Sequence, residues 1–208
     1  MRACPHCAAA LESPLACGAC GRLLDVAEGT SPFEVLGLEP MHAVDAGELS
    51  RRLRRLGRLV HPDFFGAADA EQRALAERNT ARLNRAHELV SDEFRRASWL
   101  VEACGGPSES EERAMPQAFL AEVLEWNETL AAARASTAAP WPALEELEHG
   151  LRAERARALA EVAQGLAPLP QRGAPGLRAL RTRLNCVRYV DRALAEIESL
   201  RLARASVR

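Results

Sequence analysis

Pro62 stands between two segments that are both patterned as helices, and this one residue constrains the first half of the chain more than any other. Before it, Leu49, Leu53, Leu56 and Val60 recur at i, i+4, i+7 and i+11, the spacing of a buried helical stripe, with Asp45 placed to cap its start. After it, Leu75, Asn79, Leu83, Ala86 and Val90 continue a helical pattern from residue 69 to residue 90. Proline has no backbone N–H to continue a helix, and it restricts His61 to extended geometry. The two helices must therefore fold back on each other as an antiparallel hairpin with the polar tripeptide His61-Pro62-Asp63 at its tip. Such a tip projects Asp63 as an exposed carboxylate able to pair with an arginine of another molecule. Arg51, Arg54, Arg55 and Arg58 point away from the stripe and form a basic face; on a helix such a run is ordinarily only a solvated surface.

Composition sets the class. The chain is 48% hydrophobic but only 4% aromatic, with alanine, leucine, arginine and glutamate dominant, which favours helix and leaves little material for strands. An all-α fold is expected, and 208 residues leave room for one or two domains. The 27 basic residues are all arginine, which a biased coding composition explains more simply than selection for bidentate contacts. A net charge of −2 argues against non-specific nucleic-acid binding by the whole chain. No apolar run approaches the roughly 20 residues of a membrane span. The N-terminus shows neither a secretory nor a transit pattern, so a cytoplasmic protein with no membrane partner is expected. Neither a nucleophile–base pair nor a phosphate loop is visible, which disfavours an enzyme.

Cys4-x-x-Cys7 and Cys17-x-x-Cys20 place four of the six cysteines within the first 20 residues. In each pair the short loop lets two thiolates converge on one ion, with Gly18 and Gly21 easing the tight backbone. Four converging thiolates suit a structural zinc site closed to substrate. A disulfide pair, a redox dithiol or an iron–sulfur ligand set fits the same spacing, although a reducing compartment disfavours disulfides. His6 is read as a bystander, and the isolated Cys104 and Cys186 as small apolar residues. The segment is too small to fold on a core of its own and should need its metal.

Ser31 and Pro32 mark the cap and first position of a short helix bearing Phe33, Leu36 and Leu38. After Gly105-Gly106-Pro107 and a polar linker, helical patterns span 116–134, 140–165 and 175–204, each with a proline near its start. Three such helices joined by short turns make a compact bundle. On the first of them Phe119, Val123, Trp126 and Leu130 form the core stripe, whereas Leu120 and Leu124 lie about 100° around the helix. Glu125 and Glu128 border that apolar pair, the arrangement of a partner-binding patch unless a neighbouring helix covers it. On the last helix Tyr189 falls roughly opposite the stripe of Leu180, Leu184, Val187 and Leu194, which makes it a candidate exposed anchor.

His61-Pro62-Asp63 between two such helices resembles the J-domain, and Leu83-Asn84-Arg85-Ala86-His87-Glu88-Leu89 is similar to the tail found in many J-domains. Glu93, Phe94 and arginines stand where ordinary J-domains often carry lysines. With three further helices in place of a Gly/Phe-rich linker and β-rich domains, the chain resembles the HscB/Jac family of iron–sulfur cluster co-chaperones over residues 31–204. Members of eukaryotic type add an N-terminal tetracysteine module like Cys4–Cys20.

The family's Phe-Leu-Met-x-x-Leu-Glu-x-x-Glu appears as Phe119 to Glu128, with Ala121 in place of methionine, and its Arg-Phe-Leu-Asp as Arg188-Tyr189-Val190-Asp191. The resemblance implies three parts: a zinc-knuckle module over 1–28, a J-domain hairpin over 31–104 and a three-helix scaffold-binding domain over 114–204. It implies that His61, Pro62, Asp63, Arg51, Arg54, Arg55 and Arg58 contact a heat-shock protein 70 chaperone of HscA or DnaK type. Leu120, Leu124, Glu125, Glu128 and Tyr189 would contact a scaffold protein of IscU type. A general J-domain co-chaperone for unfolded clients is the alternative; only three methionines are available for the flexible surface that role favours.

Overall fold

The computed structural model describes residues 2–66, 69–135 and 141–205. Among them the regular structure is helical: α1 (Pro32–Val35), α2 (Ala46–Val60), a 3-10 turn (Pro62–Phe65), α3 (Ala70–Ser91), α4 (Glu93–Ala103), α5 (Gln117–Ala135), α6 (Trp141–Gly165) and α7 (Gly176–Ala205). The expected proline at 140 lies outside the described residues. The chain divides into two compact units, Met1–Arg96 and Ala97–Arg208. No helix among the described residues is long and apolar enough to cross a membrane.

Within the first unit, the ends of the helices follow from local chemistry. Asp45 Oδ1 accepts from the Glu48 N–H at 2.6 Å, and Asp69 Oδ1 from the Gln72 N–H at 2.8 Å, so each long helix starts on a carboxylate that satisfies a free amide. Ser31 Oγ caps α1 through the Phe33 N–H at 3.2 Å. Leu49, Leu56 and Val60 of α2 are buried, as are Leu75, Ala76, Asn79, Leu83, Ala86 and Val90 of α3. Leu53, on the same expected stripe, is only half-buried.

The fully buried Asn79 belongs to the stripe for a reason that is not apolar. Its Nδ2 donates to the carbonyls of Leu15 (2.8 Å) and Leu24 (3.0 Å), so α3 holds the N-terminal module through the backbone of that module. Ser13 Oγ adds a buried bond to the Val35 carbonyl at 2.7 Å. Gly37, at φ +67°, lets the chain pass under the module, because a Cβ there would lie 2.4 Å from the Glu12 carbonyl oxygen.

In the second unit, Phe119, Val123, Leu130 and Ala133 of α5 share a core with Leu144 and Leu151 of α6 and Cys186, Val190, Ala193 and Ile197 of α7. The stripe expected on α5 holds, Trp126 being half-buried against that core. On α7 the buried face is rotated from the expected one: Leu184 and Val187 are buried, but Leu180 and Leu194 are only partly so, and Leu177, Arg181 and Val190 take their share.

Arg181, only 1% exposed, is the reason the simple stripe fails. Its guanidinium donates to the Pro107 carbonyl (2.9 Å), Ser98 Oγ (2.9 Å), the Ser98 carbonyl (3.2 Å) and Glu102 Oε1 (2.8 Å). One buried cation thereby collects acceptors from residues 98–107. Replacing Arg181 by Met is expected to cost about 2 kcal/mol, because the Pro107 carbonyl and the Ser98 hydroxyl lose their donor while the exposed Glu102 carboxylate turns to water. Urea denaturation followed by circular dichroism reads this directly; an unchanged midpoint would mean that water replaces the guanidinium without penalty.

Candidate metal centre and interaction surfaces

The two cysteine pairs form the same local structure twice. The Ala8 and Gly21 amides donate to the carbonyls of Cys4 (2.9 Å) and Cys17 (2.8 Å). The Cys4 and Cys17 amides in turn donate to the carbonyls of Ala9 (2.8 Å) and Arg22 (2.9 Å). Each turn closes on a residue in the left-handed region, Ala8 at φ 58° and Gly21 at φ 72°. Glycine meets that need without strain; Ala8 meets it with a side chain, a feature that sequence reading misses because no glycine marks it.

These knuckles bring the four Sγ atoms within 4.8 Å of one another. Cys4 and Cys20 sulfurs lie 3.8 Å apart and those of Cys7 and Cys17 3.6 Å, far beyond a disulfide bond. A tetrahedral ion with metal–sulfur bonds of about 2.3 Å requires sulfur–sulfur edges of about 3.8 Å, so the set fits a four-thiolate metal centre. The electrostatics point the same way. Cys17 is drawn down to about 6, chiefly by the backbone N–H of Cys20. The Ala9 N–H favours the Cys7 thiolate too, yet the hydrogen bond with Cys17, desolvation and the neighbouring sulfurs push Cys7 up to about 12. Thiolates this close repel one another, and a divalent cation removes the conflict. His6 stands outside the set, with its Nδ1 3.2 Å from Arg22 Nη1.

At the tip of the hairpin, His61 is the extended residue between α2 and the 3-10 turn, at φ −64° and ψ 128°. Its Nδ1 accepts the Asp63 N–H at 3.2 Å, which closes the turn and leaves the Asp63 side chain 85% exposed. Phe64 follows, 72% exposed, edge-on to the His61 ring at a centroid distance of 6.1 Å. Sequence reading missed Phe64 as a surface group; its one signal was an aromatic residue inside a polar turn.

The four arginines of α2 are not equivalent. Arg51 pairs with Glu48 at 3.0 Å on its own helix, and Arg55 pairs with Glu12 of the cysteine module. Among the described residues Arg54 and Arg58 have no carboxylate partner.

On α5, Leu120 is 44% and Leu124 66% exposed, flanked by exposed Glu125 and Glu128. Tyr189 departs from the expectation of a freely exposed anchor. It is half-buried, packed on the core, with its ring edge-on to Phe119 at 6.4 Å. Helical periodicity placed it opposite the stripe, but the α7 stripe is rotated and carries Tyr189 to the margin of the core.

Comparison with known proteins decides the family. The family model described as the HSCB C-terminal oligomerisation domain matches residues 115–198. The co-chaperone protein HscB homolog of Bordetella avium is 38% identical over 131 residues, covering 62% of this chain and 77% of that protein. The chain belongs to the HscB co-chaperone family. The HscB homolog of Ralstonia nicotianae is 36% identical over 124 residues, 59% of this chain and 69% of that protein. The crystal structure of human co-chaperone HscB has the same fold, with a TM-score of 0.77 over 95% of this chain and 97% of that one at 23% identity. Chaperone HscB from Vibrio cholerae matches with a TM-score of 0.67 at 25% identity, over 83% of this chain and 98% of that one.

HscB membership fits the all-helical fold. In this chain the cysteine module is also bonded into the first unit through Asn79, Ser13 and Glu12. A metal held by the four sulfurs would therefore contribute folding energy to the module and to its contacts with α2 and α3. A thiol-competing chelator, or Cys17→Ser, is expected to lower the thermal midpoint and expose residues 2–24 to protease. Identical melting with and without chelator would show that the module folds without an ion.

Proposed function

We propose that this chain is a non-enzymatic adaptor that carries an iron–sulfur cluster scaffold protein of IscU type to an ATP-bound heat-shock protein 70 chaperone of HscA or DnaK type. The observation that carries the reading is the displayed carboxylate of Asp63, held at the hairpin tip by its own amide and the His61 ring. A carboxylate so fixed offers a charge-assisted, bidentate partner to an arginine of the chaperone. Arg51, Arg54, Arg55 and Arg58 lie on one face of α2 behind it and steer an acidic chaperone surface toward the tip. Arg54 and Arg58, free of local carboxylates, supply most of that attraction. Membership of a co-chaperone family supports the assignment of ATP hydrolysis to the partner.

Leu120, Leu124, Glu125, Glu128 and Tyr189 form the proposed scaffold contact. Apolar side chains on an otherwise polar helix shoulder, rimmed by carboxylates and backed by an aromatic ring, make a small hot spot with a charged border. Functionally the chain reads as a cysteine module over 1–28, a J-domain over 31–104 and a scaffold-binding bundle over 114–204. Zinc, bound by Cys4, Cys7, Cys17 and Cys20, is the proposed metal; it supplies a closed structural clamp and no chemistry on a substrate. A cytoplasmic location is part of this reading, by analogy with the co-chaperone relatives.

Asp63→Asn is expected to reduce chaperone ATPase to its unstimulated rate while scaffold affinity, measured by calorimetry, is unchanged. Leu120→Ala/Leu124→Ala should do the reverse, weakening scaffold binding about 100-fold if each leucine contributes roughly 1–2 kcal/mol. Equal loss of both activities in either variant would refute the division of labour.

A further inference from the structure

A cleft of about 400 Å³ in the second unit lies between α7 and the segment that precedes α5. Its α7 wall is the stripe Asn185, Arg188, Tyr189 and Arg192; Arg113 and Met115 line the other side. The opposite wall is a fixed one. Asn185 Nδ2 donates to the carbonyls of Glu112 (3.0 Å) and Ala114 (3.1 Å), and Arg178 pairs with Glu112 at 3.0 Å.

The charges in this cleft are out of keeping with the rest of the unit. Among its described side chains, Arg134, Arg152, Arg155, Arg157, Arg178, Arg181, Arg183, Arg188 and Arg201 are each paired with a carboxylate. Arg113, Arg172 and Arg192 are not, and two of these three line the one cleft. Within it Glu109 already pairs with Arg188, so a carboxylate is a group this cleft accommodates. Met115 and Tyr189 give it an apolar floor. Tyr189 also packs edge-on to Phe119 of α5, the helix that carries exposed Leu120 and Leu124.

We propose that Arg113 and Arg192 form an acidic-residue subsite of the scaffold-binding surface, receiving a partner segment that carries a carboxylate beside an apolar side chain. This inference rests on the proposed scaffold reading and adds to it a second, oppositely charged contact. With Glu125 and Glu128 on α5, and Arg113 before α5 and Arg192 on α7, the proposed surface offers both signs of charge beside apolar side chains. A partner with the complementary layout fits in one orientation; the reversed orientation sets like charges together.

The test is calorimetric titration of the full, metal-loaded chain with the organism's cluster scaffold protein at low and high salt. Four proteins are compared: wild type, Arg113→Glu/Arg192→Glu, Arg113→Lys/Arg192→Lys and Leu120→Ala/Leu124→Ala, each checked for folding by circular dichroism. The charge reversal is expected to weaken binding about tenfold at roughly 0.02 M salt and much less at about 0.5 M, where the screening length falls below the width of the contact. The lysine pair should stay near wild type, and the leucine variant should lose affinity equally at both salts. Reversal without effect at low salt, with the leucine variant impaired, would overturn the subsite and leave the scaffold reading standing. Failure of the wild type to bind would remove the scaffold reading and the subsite together. A reversal that changed only self-association in sedimentation would assign the cleft to a second copy of this chain and overturn the proposal.

Discussion

The seam between α2 and α3 is the contact on which the first unit depends. Leu49, Leu56 and Val60 are buried on one helix, and Leu75, Ala76, Leu83, Ala86 and Val90 on the other. Burial of this kind contributes roughly 1.5–3 kcal/mol for each large side chain, so the seam outweighs any single polar contact at its end. The residues at the turn are then displayed by exclusion. His61, Asp63 and Phe64 are exposed and Pro62 is half-buried, and proline prevents them from extending α2. One backbone amide of the tip is capped by one imidazole, and the Asp63 side chain stays 85% exposed. An exposed carboxylate on a capped turn loses less entropy when it meets a partner arginine.

The cysteine module, whose Leu15, Leu23 and Val26 are buried, is also held to the same hairpin by polar contacts. Two module carbonyls converge on Asn79, and Glu12 reaches Arg52 and Arg55. The surface pairs contribute little individually. The buried Asn79 bonds contribute more, because separating the module would leave an amide and two carbonyls to find water. A metal that orders the sulfurs therefore also orders the groups that contact α2, including one of the arginines on its basic face.

Much of this architecture was legible in the sequence, and its failures have physical causes. Helical spacing located α2 and α3, with Asp45 readable as the cap of α2, since a strong apolar period and a proline between them leave few alternatives. Paired Cys-x-x-Cys spacing located the four sulfurs for the same kind of reason: short loops have few conformations. Leu120 and Leu124 were readable as exposed because α5 has a regular core stripe. The rotated stripe of α7 was not readable. A buried arginine looks polar in sequence, and only residues 98–107, distant along the chain, reveal what satisfies Arg181. Asn79 was read as part of the stripe without its reason, which lies more than 50 residues away in the module. Which of the arginines on α2 is neutralised, and which cleft residues face Tyr189, are likewise questions of tertiary pairing that no local period encodes.

The central claim is that one chain holds a chaperone and a scaffold at the same time, so that capture of cargo and hydrolysis are coupled through effective concentration. A mixture of singly impaired proteins tests it most directly. Chaperone ATPase is measured with scaffold present, adding wild type, or Asp63→Asn together with Leu120→Ala/Leu124→Ala as separate chains. The account expects the wild type to exceed the sum of scaffold alone and co-chaperone alone, and the mixture to show no such excess, since neither chain carries both contacts. Full restoration by the mixture would contradict it, showing that the two activities need not reside on one molecule.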